Sequence, residues 1–125
     1  MIVGVLNVKT HHLTYSVAGH LPHPVLLDGD GIRYLEGEGP PVGLIPDACY
    51  TQHQIVLPDH FVLGLLSDGI LELLGSGNLI EKEALLLSRL EGPLESPRSL
   101  AMRLGLETVD PNHLPDDVAA LFITR

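Results

Sequence analysis

The spacing of apolar positions changes twice along the chain, dividing it into a strand-rich first half, a helical segment and one closing strand. Ile2 to Val8 is a nearly continuous apolar, β-branched run, which predicts a buried strand with apolar residues on both faces. Lys9 to His12 is polar and predicts a hairpin turn. Leu13, Tyr15 and Val17 then alternate with Thr14 and Ser16, the period of two that sets one face against a core and the other toward water. Val25 to Asp28 and Ile32 to Leu35 flank Gly29-Asp30-Gly31, whose glycines accept the positive φ of a tight hairpin. Gly37 to Pro46 is punctuated by Gly37, Gly39, Pro40, Pro41, Gly43 and Pro46, so no regular structure is expected there. A further strand is expected from about Tyr50 to Leu57, then a turn at Pro58-Asp59-His60. Phe61 to Leu66 is apolar without alternation, the pattern of a central strand covered on both faces.

Beyond Leu66 the period lengthens. Ile70, Leu71, Leu73 and Leu74 predict a short helix stopped by Gly75-Ser76-Gly77, and Glu81 to Leu90 predicts a second. Pro97 to Val109 predicts a third, with Ser96 as its N-cap and Pro97 at its first position. Asp110 to Asp117 is a polar loop containing Pro111 and Pro115, and Val118 to Ile123 is a last apolar strand. Strands, then helices, then one more strand describe an α+β layered fold of largely antiparallel sheets, not a parallel βαβ sheet. A first strand this apolar needs a neighbour that no upstream residue provides. The reading is therefore one domain over residues 1–125, truncated, with N-terminal strands and helices missing.

Composition narrows the function classes. With 125 residues, 45% of them hydrophobic, the chain is expected to fold around a modest single core. A formal net charge of −9 argues against a nucleic-acid partner, which would require clustered Lys and Arg. Cys49 is the lone cysteine, so no internal disulfide forms and a reducing, cytoplasmic location is expected. The most apolar stretch, Phe61 to Leu74, is interrupted by Asp68 and Glu72, which excludes a membrane span there.

Two acidic sites stand at strand ends. Asp68 follows the most apolar strand, between Ser67 and Gly69, and Asp116-Asp117 immediately precedes the last strand. If those strands are neighbours, the carboxylates emerge at one end of a sheet, within reach of one hard divalent cation. Gly69 would let the backbone approach closely. Taken alone, an Asp-Gly after a strand reads as a plain turn. Seven histidines invite a zinc reading, but His11-His12 and His20-x-x-His23 fall in expected turns without structural-zinc spacing. Ser16 and Ser67 lack a nucleophile-elbow context, so no side-chain nucleophile is expected.

Four segments in order sharpen this. Ala18-Gly19-His20 with Pro22 and Pro24, Gly39-Pro40-Pro41-Val42-Gly43-Leu44, Ser67-Asp68-Gly69-Ile70-Leu71-Glu72 and Asp116-Asp117-Val118 span nearly the whole chain. Together they resemble the motifs of PPM-type metal-dependent protein phosphatases (the protein phosphatase 2C superfamily), in the bacterial SpoIIE-like branch. The resemblance implies the C-terminal part of a layered α-β-β-α sandwich. It further implies a phosphoserine/phosphothreonine phosphatase in signal transduction, acting through metal-activated water at a two-metal Mn²⁺ or Mg²⁺ centre. Asp68 and Asp116 would ligate one cation. Asp117, Gly69 and His20 would stand behind them, His20 as a loop residue that caps backbone groups. Gly19 and Gly43 would be backbone-geometry positions, Glu72 a surface or supporting one, and residues 70–109 a variable flap contacting substrate. The implied partners are a phosphorylated regulatory protein of the anti-anti-sigma type and an upstream sensor or receiver domain.

The sequence departs from the family pattern in three places. The Gly-Asp-hydrophobic-x-Gly-His-Gly motif that carries the metal-bridging aspartate is absent between Met1 and Arg125. Pro58-Asp59-His60 replaces a Pro-Gly-Asp turn, and Ala119 stands where a threonine is usual. These departures favour an alternative, a non-catalytic phosphatase-like module that docks a partner protein.

Overall fold

In the computed structural model, residues 1–94, 96–114 and 116–125 are described. Hairpins dominate the first half: β1 (Ile2–Leu6) folds back on β2 (His12–Val17), and β3 (Val25–Asp28) on β4 (Gly31–Tyr34). Asn7 closes the first turn, its Oδ1 accepting from the Lys9 and Thr10 amides at 3.0 and 3.1 Å. There follow β5 (His53–Val56), β6 (Val62–Leu66), α1 (Gly69–Leu73), α2 (Leu79–Leu90), α3 (Pro97–Arg103), a 3-10 turn (Pro111–His113) and β7 (Ala120–Thr124). The strands form a three-stranded sheet ordered β1-β2-β5 and a four-stranded sheet ordered β4-β3-β6-β7, with every neighbouring pair antiparallel.

The alternation of apolar residues explains how the layers stack. On β2, Leu13, Tyr15 and Val17 are buried and face Leu26, Leu35, Leu57, Phe61 and Leu63 in a core between the sheets. β3 is buried on both faces because its neighbours in sequence point to opposite sides. Leu26 joins the inter-sheet core, while Val25 and Leu27 join a second core with Val62, Leu66, Ile70, Leu86, Leu90, Leu100 and Leu104. That second core is the contact between the four-stranded sheet and the helices, giving the α+β layering expected from the order of elements.

α3 starts at Pro97 as expected, whereas α2 starts at Leu79, two residues before the expected Glu81. Asn78 and Glu81 form a reciprocal capping box on α2, and Ser96 accepts from the Ser99 amide ahead of Pro97 on α3. Tyr34 ties α2 to β4, its hydroxyl donating to the Glu83 carbonyl at 2.8 Å, and burial pushes that phenol's pKa well above its ordinary value. The helices form a packed layer on the four-stranded sheet. No helix among the described residues is long and apolar enough to cross a membrane.

Several details differ from the sequence reading, among them the end of β1 at Leu6 rather than Val8 and the span of β7, Ala120–Thr124 rather than Val118 to Ile123. β1 is an edge strand with Val3 57% and Val5 72% exposed, the uncovered apolar surface for which the sequence reading expected a neighbour. An apolar run tells which residues tolerate burial and says nothing of which neighbour is present. β5 begins at His53 rather than near Tyr50, and α3 stops at Arg103 rather than Val109. Pro115, in the expected loop, lies outside the described residues.

Candidate metal site at one end of the four-stranded sheet

β6 and β7 are antiparallel neighbours, with Leu66 opposite Ala120, so the end of β6 and the start of β7 fall at the same end of the sheet. This puts Ser67-Asp68-Gly69 beside Asp116-Asp117-Val118 and meets the condition on which the sequence reading depended. The two segments are joined beyond the regular ladder. The Ser67 amide donates to the Ala119 carbonyl at 2.9 Å, and the Ser67 hydroxyl donates to the Asp117 carbonyl at 3.3 Å while accepting from the Ala119 amide at 2.8 Å.

Gly69 is needed for space. A Cβ built on it would overlap the Asp117 carbonyl oxygen and lie 2.9 Å from the carbonyl carbon and 3.2 Å from Val118 Cγ2. The close approach anticipated at Gly69 is therefore to the backbone of the acidic segment.

Asp68 is the N-cap of α1, its Oδ1 accepting from the Gly69 amide at 3.1 Å. Asp116 Oδ1 accepts from the Asp117 amide at 2.8 Å. Both carboxylates are exposed and each keeps Oδ2 free of hydrogen bonds among the described residues. None of the ion pairs among the described residues involves Asp68, Asp116 or Asp117, so no side-chain cation neutralises this corner.

His20 approaches from the other side of β6. β3 begins at Val25 opposite Gly64, so Leu66 lies beyond that pairing, and its carbonyl is met by His20 Nε2 at 2.8 Å. A carbonyl only accepts, so the ring donates through Nε2–H. The loop carrying His20 is held in turn: the Gly19 amide donates to the Gly39 carbonyl at 2.9 Å, and Gly19, at φ 57°, packs against Pro41. A side chain at Gly19 would be strained in φ and in collision with that proline. Gly43, at φ 80°, is likewise left-handed. His20 thus clamps backbone, as the sequence suggested. Glu72 is engaged by Lys82 at 3.4 Å, which places it on the helical surface.

The structure brings Asp68, Gly69, Asp116, Asp117 and His20 to one end of one sheet. It does not gather three His, Cys, Asp or Glu side chains into a metal cluster among the described residues. The sequence considered Ser67 only as a nucleophile. Its signal was a hydroxyl at the junction of an apolar strand and a helix, a place where side chains substitute for backbone partners.

Comparison with known proteins fits this arrangement. Protein IcfG of Synechocystis sp. (strain ATCC 27184 / PCC 6803 / Kazusa) is 31% identical over 72 residues, covering 56% of this chain and 11% of that protein. The phosphatase domain of the cell fate determinant SpoIIE from Bacillus subtilis, presoaked with Mn, superposes with a TM-score of 0.72 at 16% identity, covering 99% of this chain and 55% of that one. The RsbU and RsbW domains of Rv1364c from Mycobacterium tuberculosis superpose with a TM-score of 0.61 at 23% identity, covering 83% of this chain and 27% of that one. The chain thus spans about a tenth to about half of the length of these relatives. Such identities carry the fold of a PP2C-type phosphatase domain, and the family model for Stage II sporulation protein E matches residues 1–125. The chain belongs to the Stage II sporulation protein E (SpoIIE) family.

Proposed function

We propose that residues 1–125 are the C-terminal part of a PPM-type phosphatase domain that removes phosphate from serine or threonine of a phosphorylated regulatory protein. The observation that supports this most directly is the β6–β7 pairing, which sets Asp68 and Asp116 at one end of one sheet in a chain of this family. The donor chemistry fits a hard cation: two exposed carboxylates, each with an uncommitted oxygen. Mg²⁺ in phosphoryl-transfer sites is held by one or two carboxylates together with water and substrate oxygens. The fit is to a share of one ion, since no group of three ligating side chains occurs among the described residues. The remaining ligands are assigned to a segment preceding residue 1 in the parent protein.

When bound, the divalent cations would supply Lewis acidity and neutralise charge during attack of water on the phosphoryl group. In this reading Asp68 and Asp116 hold one of those ions. Gly69 leaves room for the acidic segment, and His20 fixes the end of β6 through the Leu66 carbonyl. Asp117 contributes its backbone to the same corner. No side chain acts as a nucleophile. A regulatory phosphoprotein of the anti-anti-sigma type is the proposed substrate, and an upstream sensor or receiver domain the proposed neighbour. The mycobacterial relative carries an RsbU and an RsbW domain, a signalling context that supports this choice.

The absence of a three-ligand group among the described residues favours one other reading, a phosphatase-like module that docks a partner without turnover. Phosphate release separates the two. The full-length parent protein with Mn²⁺ is expected to release phosphate from a phosphoserine protein and to lose that activity in EDTA. The 125-residue chain alone is expected to show little. A parent protein inert in Mn²⁺ and Mg²⁺ would overturn the phosphatase reading.

A further inference from the structure

We infer that Ser67 is a positioning residue for the metal site: its hydroxyl acts as a clasp that lets β6 close its last rung with β7 and start helix α1 at the same residue. The inference rests on the proposed metal role of Asp68 and Asp116.

Two hydrogen-bonding demands conflict at Ser67. Ser67 and Ala119 face each other one step beyond the Leu66–Ala120 pair. In an antiparallel ladder, such a pair exchanges two bonds, amide to carbonyl in each direction. One is made, from the Ser67 amide to the Ala119 carbonyl at 2.9 Å. The other cannot be made in the ordinary way, because the Ser67 carbonyl has turned to accept from the Ile70 amide at 3.1 Å, the first turn of α1. The Ser67 hydroxyl takes its place, accepting from the Ala119 amide at 2.8 Å. A hydroxyl has one proton to give as well, and that proton goes to the Asp117 carbonyl at 3.3 Å.

The consequence is positional. Asp116 and Asp117 are exposed and no ion pair among the described residues anchors them; Val118 packs on the second core and the Ser67 amide holds the Ala119 carbonyl, so at Asp117 itself the backbone takes its place from this hydroxyl and from contact with Gly69. Asp68 is the next residue after the clasp. Ser67 therefore fixes the separation of the two carboxylates without touching a cation. Alanine at this position leaves the exposed Ala119 amide to water and keeps the backbone bond to the Ala119 carbonyl, so the fold is little affected while the acidic segment loosens at Asp117. Threonine keeps the hydroxyl and preserves the clasp.

The test is a Mn²⁺ titration of the isotopically labelled 125-residue chain, following paramagnetic broadening of backbone amides around Gly69 and Asp117, with thermal melts alongside. Ser67→Ala is expected to raise the Mn²⁺ concentration for half-broadening about tenfold, the loss usual when a group supporting a ligand is removed, with little change in melting temperature. Ser67→Thr is expected to stay near the wild-type value. Asp68→Asn is expected to abolish the localised broadening. If Asp68→Asn abolishes it and Ser67→Ala leaves it unchanged, the clasp is overturned and the metal reading stands. If Asp68→Asn broadens like wild type, or the wild-type chain shows no localised broadening, the metal reading fails and the inference with it.

Discussion

Gly69→Ala is expected to destabilise the chain by about 1–3 kcal/mol, the usual cost of forcing a methyl group into a filled space. The new Cβ would overlap the Asp117 carbonyl oxygen, and that neighbour is backbone, so no rotamer change relieves the clash. Which side moves follows from burial. Ile70 and Leu71 lie in the core and pin the start of α1, whereas Asp117 and Ala119 are exposed. The acidic segment is therefore the part displaced, stretching the bonds from Ser67 to Asp117 and Ala119. Denaturant unfolding reads the stability, and amide shifts at Asp117 and Ala119 read the displacement. Gly29→Ala is the control: open space surrounds that position, so a change within about 0.5 kcal/mol is expected. Equal stability for the two variants would mean the β7 segment does not lie against Gly69.

The larger loss of stability is expected from Leu26→Ala, about 2–5 kcal/mol, the range for removing a fully buried leucine side chain. Leu26 is 0% exposed on β3, which is paired on both sides by β4 and β6, and its side chain fills the core between the two sheets. Neither sheet can close over the cavity without breaking a strand pairing. For a domain whose total stability is of the order of 5–15 kcal/mol, such a loss is a large fraction of the whole. Leu26→Met keeps the volume and is expected to cost less than about 1.5 kcal/mol. Urea unfolding curves measure both. A Leu26→Ala chain as stable as wild type would show that the inter-sheet core does not support the fold.

The fold was legible wherever one residue's environment is set by its own element. Leu13, Tyr15 and Val17 alternate because one face of β2 meets the other sheet. The Ser96-Pro97 start of α3 and the unbroken apolar run of β6 are local signals of the same kind. The reading stopped short where the answer depends on a distant segment. The apolar run at Ile2 is the edge strand β1 of the three-stranded sheet, whose position in that sheet is set by strand order and not by composition. At the candidate site, Asp68 and Asp116-Asp117 stood out as acidic residues at strand ends, but their adjacency required β6 to pair with β7 across more than fifty residues of chain. His20 was visible as a loop histidine, while its partner, the Leu66 carbonyl, is 46 residues away. For Ser67 the strand–helix junction is a local signal, while its partners, Asp117 and Ala119, lie about fifty residues away and are set by the β6–β7 pairing.

The central claim is that Asp68 and Asp116 jointly hold a divalent cation, and the most direct test is the melting temperature of the 125-residue chain with and without Mn²⁺. An ion that binds only the folded state stabilises it by about 1.4 kcal/mol at ten times its dissociation constant. For a domain of this size that corresponds to a rise of roughly 3–8 °C. Because these two carboxylates supply only part of the ligand set, the 125-residue chain is expected to bind Mn²⁺ weakly, so the rise comes only as Mn²⁺ is titrated to about ten times that weak dissociation constant, with none for Asp68→Asn or Asp116→Asn. A wild-type chain indifferent to Mn²⁺, or an Asp68→Asn chain that responds equally, would contradict it.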